Sequence, residues 1–442
     1  MVERFPACFH YLSGTVIHAR TDWTEALLFT TEGRLPAYIP ELDGIRAIAV
    51  LMVLMMHVLT LDDQSLAALG NVAPRAITLL IGHGWLGVDL FFVLSGFLIT
   101  GILLDDRASP HYFRNFYGRR ALRILPLYLL CIAVMACFYP GCGSYFLLSF
   151  LFVANMAGLL GVGVPHGAGV FWSLAVEEHF YLIWPWLVRM LSRRALVRVC
   201  AFIIVSEPIL RAVFAAHGAD VYNPSWFRFD GLASGALLAV WFRSPLASRR
   251  RSLIAAAASV AAAVAITMAG LPFGIMAKTV AGMSLRYNQA TLVYCAGMLV
   301  AVAWRSTWLT APLRSRFARQ TGALSYCLYL IHLALLDGYM VVFRHYVPTG
   351  LTFSQLLLRA AVVLCASYGL ALLSQRFLER PVLSLRRYLT SKPGDEAVTY
   401  GAGMRHTEII AAGWPIKSML PAFAPSRNHP ASGNDASHRL KQ

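Results

Sequence analysis

The sequence has few charged residues for its length. Asp, Glu, Lys and Arg make up 14% of the 442 residues, against roughly 25% in a soluble globular protein. Hydrophobic residues account for 58%, and the mean hydropathy is +0.60. This composition excludes a soluble enzyme. Apolar runs of about 17 to 25 residues, separated by short polar links, instead predict an all-α, polytopic bundle of transmembrane helices.

Disulfide motifs and a secretion signal are also missing. The eight cysteines form no CxxC pair, and most lie in apolar runs, so we expect them to be buried and unpaired. Cys137 and Cys142 flank a predicted outer loop and are the pair that could form a disulfide. Residues 1–38 contain no basic stretch followed by an apolar one, so no cleaved signal peptide is expected.

Three regions are predicted along the chain. Residues 1–38 are an N-terminal extension of unknown role, and residues 39–390 form the membrane domain. Residues 391–442 are polar and rich in Gly, Pro, Ser and His, which predicts a disordered cytoplasmic tail.

We predict about ten membrane spans. They lie at residues 44–61, 84–104, 121–138, 172–191, 196–216, 228–243, 253–270, 289–304, 323–343 and 356–377.

The distribution of basic residues predicts how these spans are oriented. With a cytoplasmic N-terminus, the five inner links hold 21 arginines, whereas the five outer links hold 4 Lys or Arg. This asymmetry follows the positive-inside rule and places both termini in the cytoplasm. The apolar segment 144–164 could be an eleventh span, but it would send four of the five basic links outside. We therefore predict a re-entrant or outer-surface segment there. The net charge of +16 comes with no nucleic-acid-binding module, so no nucleic-acid partner is expected.

The first span carries ionisable residues at both ends. Such residues cost about 2.5 to 3.5 kcal/mol each at membrane depth, so they usually face a cavity or a partner. In "LDGIRAIAVLMVLMMH", Asp43 and Arg46 are one turn apart. His57 lies 11 residues beyond Arg46, roughly 16 Å further along nearly the same helix face. His57 could be a base or a histidine bonded to a neighbouring helix, and Arg46 could bind a ligand or anchor the helix at the headgroups.

Two further stretches could carry chemistry. In "RRALRILP", Arg120 and Arg123 are one turn apart, a spacing that can clamp a phosphate or can simply orient the span. In "WSLAVEEHFYLIWP", Glu177 and Glu178 lie among tryptophans near the outer end of the fourth span. A carboxylate there could orient a histidine or accept a proton, or it could pair with a buried arginine.

Other polar residues enter the spans from the outer side. Asp89 lies in "GVDLFFVLSGFLI", where the glycines predict close helix packing, and Arg228 and Asp230 lie in "RFDGLASG". These last two residues could supply the salt bridge to the glutamates. His332, in "LSYCLYLIH", has a structural or a functional role. The predicted site is thus divided, with arginines on the cytoplasmic side and the other groups in the outer half.

These segments, together with the closing "FLERP", resemble in content and order the acyltransferase-3 family of integral membrane O-acyltransferases. The resemblance runs from about residue 40 to residue 381. The family signature of a basic residue, ten intervening positions and a histidine is matched by Arg46 and His57. The two-arginine motif is matched by Arg120 and Arg123. The sequence departs from many members at His179, where they have Gln, and no fused esterase-like domain is expected.

The resemblance implies transfer of an acyl group, commonly acetyl from acetyl-CoA, to a hydroxyl of a carbohydrate or glycolipid. It implies acyl-CoA as co-substrate, no bound cofactor or metal, and residence in the lipid bilayer of a bacterial inner membrane. His57 would be a general base or would be transiently acylated. The implied catalytic residues are His57, Glu177 and Glu178, and the implied donor-binding residues are Arg46, Arg120 and Arg123. From the positions of the other polar and aromatic residues we predict seven supporting or acceptor-site residues: Asp43, Asp89, Trp172, Ser173, Arg228, Asp230 and His332.

Two other functions fit parts of the pattern. A transporter or flippase of a glycan intermediate would also need buried charges at different depths, but no inverted repeat is visible in the sequence. A non-catalytic membrane partner of a polysaccharide-assembly complex is the second alternative.

Overall fold

The computed structural model describes residues 35–36, 38–60, 63–343 and 352–389. The predicted tail and nearly all of the predicted extension lie outside the described residues. All regular structure in the described part is helical, as the all-α prediction requires. The helices are α1 (Pro40–Thr60), α2 (Asp63–Gly70), α3 (Arg75–Gly82), α4 (Gly87–Asp105), α5 (Tyr112–Phe138), α6 (Gly143–Phe150), α7 (Phe171–Met190), α8 (Arg193–Ala216), α9 (Phe229–Trp241), α10 (Arg249–Gly270), α11 (Val280–Ala303), α12 (Arg316–Phe343), α13 (Phe353–Ser374) and α14 (Arg380–Ser384).

Ten of these helices overlap the ten predicted spans one for one, namely α1, α4, α5 and α7 to α13. Seven helical segments of the described chain are long and apolar enough to cross a membrane. They are Pro40–Thr60, Arg75–Asp105, Tyr112–Phe138, Arg193–Ala216, Arg249–Phe273, Arg316–Phe343 and Phe353–Leu389. Helix α9 is apolar but has only 13 residues. The chain is therefore an integral membrane protein, and ten crossings remain a prediction.

The apolar segment 144–164 does not form a membrane-spanning helix. Helix α6 covers only its first part, and turns and one 3-10 turn, Ala154–Met156, follow. The chain reverses at Phe152, whose φ of 57° lies in the left-handed region. The structure therefore excludes an eleventh helical span here, as the charge distribution predicted.

Side-chain contacts fix the relative directions of the helices. Asp43 lies against Gly322 near the starts of α1 and α12, and His57 contacts His332 further along both, so these helices are parallel. Helix α7 runs parallel to α4 and antiparallel to α5. The same alternation continues through α8 to α13. It gathers the arginines of the five predicted inner links at one end of the bundle. We call it the arginine-rich end, and the other the opposite end.

Small residues let α4 and α9 pack in direct backbone contact. A Cβ atom added at Gly96 would lie 1.9 Å from the Leu232 carbonyl oxygen, and one added at Gly235 would lie 1.9 Å from that of Val93. The predicted close packing at Gly96 is confirmed. Because the two helices are held this closely, the residues at their starts, at the opposite end of the bundle, are brought together.

The cysteines make no disulfide in the described residues. Cys137 and Cys142 are both free thiols, so the disulfide considered from the sequence does not form.

Candidate active site

The parallel packing of α1 and α12 brings two histidines together. The Nε2 atom of His332 lies 3.2 Å from Nδ1 of His57, and the ring centroids are 5.0 Å apart. His332 is fully buried, whereas His57 is partly accessible. A histidine pair inside a membrane bundle is costly to desolvate unless its nitrogens are hydrogen-bonded. The backbone carbonyls around the pair meet that requirement.

The hydrogen bonds assign the tautomers of both rings. Nδ1 of His332 lies 2.8 Å from the Tyr329 carbonyl and 3.2 Å from that of Leu328. Because carbonyls only accept, this nitrogen donates and Nε2 of His332 is an acceptor. Nδ1 of His57 lies between that acceptor and the Val53 carbonyl, 2.9 Å away, and therefore donates. The Nε2 atom of His57 is left with its lone pair available to take a proton.

A hydroxyl pair continues this polar line toward α7. The Ser173 hydroxyl lies 2.6 Å from the Tyr329 hydroxyl, and the Tyr329 and His332 rings are 5.9 Å apart. Trp172, the residue before Ser173, packs against Tyr222 at 4.7 Å between ring centroids. The residues predicted as supporting groups, Trp172, Ser173 and His332, thus lie on one path that leads to His57.

The contacts of the two glutamates of α7 differ from the expected contact with His57. Glu177 accepts hydrogen bonds from the Ser95 hydroxyl at 2.7 Å and the Tyr181 hydroxyl at 3.0 Å. Glu178 lies within electrostatic range of Glu177 and Arg120. No hydrogen bond joins either carboxylate to His57 in the described residues, so the role of Glu177 or Glu178 in orienting His57 stays a prediction. The groups that bond the His57 ring are Val53 and His332.

The three predicted donor-binding arginines cluster at the arginine-rich end. Arg123 lies within electrostatic range of Arg46 and Arg120, and Arg46 and Arg120 lie within such range of Glu177. The Arg120 guanidinium lies over the Tyr181 ring, 5.1 Å from its centroid. Arg46 donates to Asp43 at 2.7 Å. Mutual repulsion of three guanidinium groups is relieved when an anion binds among them.

Neither Arg120 nor Arg123 makes an ion pair within the part of the chain that the structure describes. Both side chains are partly buried and partly accessible. Asp43, by contrast, also accepts a hydrogen bond from the Tyr38 hydroxyl at 2.7 Å, so the Arg46 partner is itself held in place. Two of the three arginines therefore have their donors available for a ligand.

Buried ion pairs occupy the opposite end. The Arg228 guanidinium donates to Asp89 at 2.7 Å, and both side chains are at most 2% exposed. Asp230 pairs with Arg211 at 2.8 Å. The sequence suggested that Arg228 and Asp230 could form a salt bridge with Glu177 or Glu178. They do not, because each is paired with a closer residue of opposite charge.

Sequence reasoning missed Arg211 and its second acidic neighbour. Arg211 is fully buried and also contacts Glu207 at 3.5 Å. Glu207 in turn accepts the backbone N–H groups of Phe229 and Asp230, which begin α9. The sequence feature that could have identified this buried ion pair is the i,i+4 spacing of Glu207 and Arg211 inside an apolar run.

His179, the position that departs from many family members, lies outside the His57 path. Its Nδ1 is 2.7 Å from the Ser225 hydroxyl, which also accepts from Asn155 at 2.9 Å. In the described residues, no group of three or more His, Cys, Asp or Glu side chains is arranged to hold a metal ion.

A family model described as an acyltransferase domain matches residues 39–375, which is more than half of the chain and includes both the arginine cluster and the two histidines. The chain belongs to the acyltransferase-3 family. This confirms the resemblance inferred from the sequence motifs, and it makes the chain an integral protein of the bacterial plasma membrane.

Curated relatives share part of the chain. The peptidoglycan O-acetyltransferase OatA of Listeria monocytogenes is 27% identical over 379 residues, 78% of this chain and 56% of that protein. The putative peptidoglycan O-acetyltransferase YrhL of Bacillus subtilis is 32% identical over 240 residues, 48% of this chain and 35% of that protein. The O-acetyltransferase OatA of Staphylococcus aureus is 28% identical over 230 residues, 47% and 35% of the two chains. The chain thus spans between about a third and somewhat more than half of these relatives. No solved structure matches it.

Proposed function

We propose that this protein is a membrane O-acyltransferase that moves an acyl group, acetyl in the first instance, from acyl-CoA to a hydroxyl of a cell-wall or cell-surface glycan. The observation that carries the proposal is the arrangement of α1. An arginine cluster lies near its start, and a histidine with an available Nε2 lies 11 residues further on, roughly 16 Å along the helix. The arginine cluster can bind a charged donor, and the histidine can act on a neutral acceptor hydroxyl.

The donor enters at the arginine-rich end, which we place on the cytoplasmic side with ten spans and both termini inside. Arg120 and Arg123 bind the phosphates of acyl-CoA through charge-assisted hydrogen bonds, and Arg46 adds a third cation. The thin pantetheine arm then reaches along α1 toward His57. Glu177 stays bonded to Ser95 and Tyr181 and balances the cluster's charge between donor turnovers.

His57 carries the chemistry. Its Nε2 removes the proton of the acceptor hydroxyl as the oxygen attacks the thioester carbonyl, and the C–S bond breaks to release the thiolate of CoA, which takes that proton back. In the alternative route, Nε2 attacks the thioester carbonyl and the C–S bond breaks to release the thiolate of CoA. The acceptor oxygen then attacks the acyl carbon, the C–N bond to Nε2 breaks, and the hydroxyl proton passes to the thiolate. Both routes need the Nδ1–H tautomer, which the Val53 carbonyl and His332 favour.

The named relatives support a glycan acceptor. They are peptidoglycan O-acetyltransferases by name, so we propose a bacterial wall or surface polysaccharide as the acceptor of this chain too. Family membership, together with the arginine cluster and the His57 base, supports transfer over transport.

Mass spectrometry of surface glycans tests this function. A deletion strain should lose one ester modification while its amount of glycan is unchanged. The intact chain and a His217→Ala control, which alters an exposed histidine on α8's outer flank, should restore the ester. His57→Ala should express normally and fail to restore it. Normal acylation with His57→Ala would remove His57 from catalysis, and loss of the whole glycan on deletion would favour transport or assembly.

A further inference from the structure

A cluster of aromatic side chains at the opposite end is not used by this mechanism. The ring centroids of Trp85 and Tyr222 are 6.0 Å apart, those of Trp85 and Tyr287 are 5.8 Å apart, and those of Trp172 and Tyr222 are 4.7 Å apart. We call these four residues the aromatic box. They come from four separate parts of the chain, so the cluster is made by the fold.

The floor of the aromatic box is rigid and electrically balanced. The buried Arg228 guanidinium lies 4.2 Å from the Tyr287 centroid and 5.1 Å from that of Tyr222, and it pairs with Asp89. Stacking of a desolvated guanidinium on aromatic faces is stabilising. Arg228 therefore holds the rings in place and leaves no net charge at the floor.

Arg286 lies at the edge of the aromatic box, which we call its rim, and gives this rim a net positive charge. The Arg286 guanidinium lies 5.1 Å from the Trp85 centroid and 5.6 Å from that of Tyr287. Arg286 makes no ion pair with any described residue, and its buried Nε atom lacks a hydrogen-bond partner. A buried polar donor without a partner is unfavourable. An anion beside Arg286 would offset that cost.

The aromatic box adjoins the proposed catalytic base. Gly84, next to Trp85, lies against Met52 and Met56 on α1, and Met56 directly precedes His57. On the other side, the residue after Trp172 begins the hydroxyl path to His332. The aromatic box is therefore connected to the His57 region through α1 on one side and through the hydroxyl path on the other.

We propose that the aromatic box and Arg286 form an acceptor subsite for a sugar residue that bears a carboxylate. The half-buried Trp85, Trp172 and Tyr222 offer flat apolar faces on which the C–H face of a pyranose ring packs. The planar guanidinium of Arg286 matches the two oxygens of a carboxylate. This subsite rests on the proposed function, because it supplies the acceptor for the His57 reaction.

Calorimetric titration of the full-length protein in detergent tests the subsite. The probes are the disaccharide of two N-acetylglucosamine residues and the analogue in which one residue carries a lactyl ether carboxylate. The carboxylated sugar should bind about tenfold more tightly, the gain expected of one charge-assisted pair. Arg286→Gln should remove this preference, Arg286→Lys should retain part of it, and Trp85→Leu should weaken both sugars.

A matched control is Arg250→Gln, which removes one exposed charge at the arginine-rich end and should keep the full preference. Equal affinity of the intact protein for both sugars, binding of neither, or a preference that survives in Arg286→Gln would overturn the subsite. These outcomes leave the proposed function standing if His57-dependent acylation of the glycan persists. Loss of that dependence would overturn the function itself.

Discussion

Two arginines at one end of the bundle are held differently from two arginines at the other end. At the opposite end, Arg211 and Arg228 are at most 1% exposed and each is paired with a carboxylate at 2.7 to 2.8 Å. At the arginine-rich end, Arg120 and Arg123 are partly accessible and form no ion pair with described residues. A buried arginine that is paired with a carboxylate is part of the framework. A cluster of accessible guanidinium groups, two of which form no ion pair with described residues, can bind an anion.

This difference separates residues that a motif search would treat alike. Buried ion pairs are expensive to break, since removing one partner strands the other in a low dielectric. Removing an accessible guanidinium group should change the stability of the fold little, but it should weaken the binding of an anionic ligand. Substitutions at the two ends should therefore have effects of different kinds as well as different sizes.

The largest effect should come from Arg211→Ala. The change strands Asp230 and Glu207, both nearly fully buried, and should lower the free energy of unfolding by about 3 to 5 kcal/mol. The yield of monodisperse protein and the midpoint of thermal unfolding in detergent measure it. Arg250→Ala, at an exposed position, is the control. An unchanged midpoint would show that this end does not depend on its ion pairs.

Arg120→Gln and Arg123→Gln should act on the donor instead of the fold. Each removes charge-assisted hydrogen bonds worth about 1.5 to 3 kcal/mol, so the KM for acyl-CoA should rise roughly tenfold to a hundredfold. The thermal midpoint and the KM for the acceptor should stay near those of the unaltered protein. Steady-state kinetics in proteoliposomes measure all three. An unchanged KM for acyl-CoA would remove these arginines from the donor site.

The helices were far easier to predict from the sequence than the contacts between them. Long apolar runs marked ten helices, because hydrophobic length alone specifies a span. The contact of His57 with His332 joins residues 275 positions apart, and nothing local encodes the parallel packing of α1 and α12 that creates it. The hydrogen bond from Ser95 to Glu177 was not predicted for the same reason, since Ser95 comes from a separate helix.

Within the opposite end, His332→Phe should have a smaller effect than either arginine change. It removes the Nε2 acceptor beside His57 while the Val53 carbonyl still holds Nδ1. Loss of one hydrogen bond of about 1 kcal/mol should lower kcat threefold to tenfold. His332→Gln, which can still accept, should recover part of the rate. If both variants lower only the folded yield and leave kcat unchanged, His332 does not position His57.

Asp43→Asn should have the smallest effect, and it tests Arg46, which shares features with the arginines of both ends. Arg46 is 18% exposed and paired with Asp43, so it shares pairing with the opposite end and accessibility with its arginine neighbours. Partly exposed pairs contribute about 0 to 1 kcal/mol, so the fold should tolerate the change. Removing a negative charge from the donor site should lower the KM for acyl-CoA about twofold to threefold. A fall in the thermal midpoint with an unchanged KM would instead make Arg46 a helix anchor, and the donor site would then consist of Arg120 and Arg123 alone.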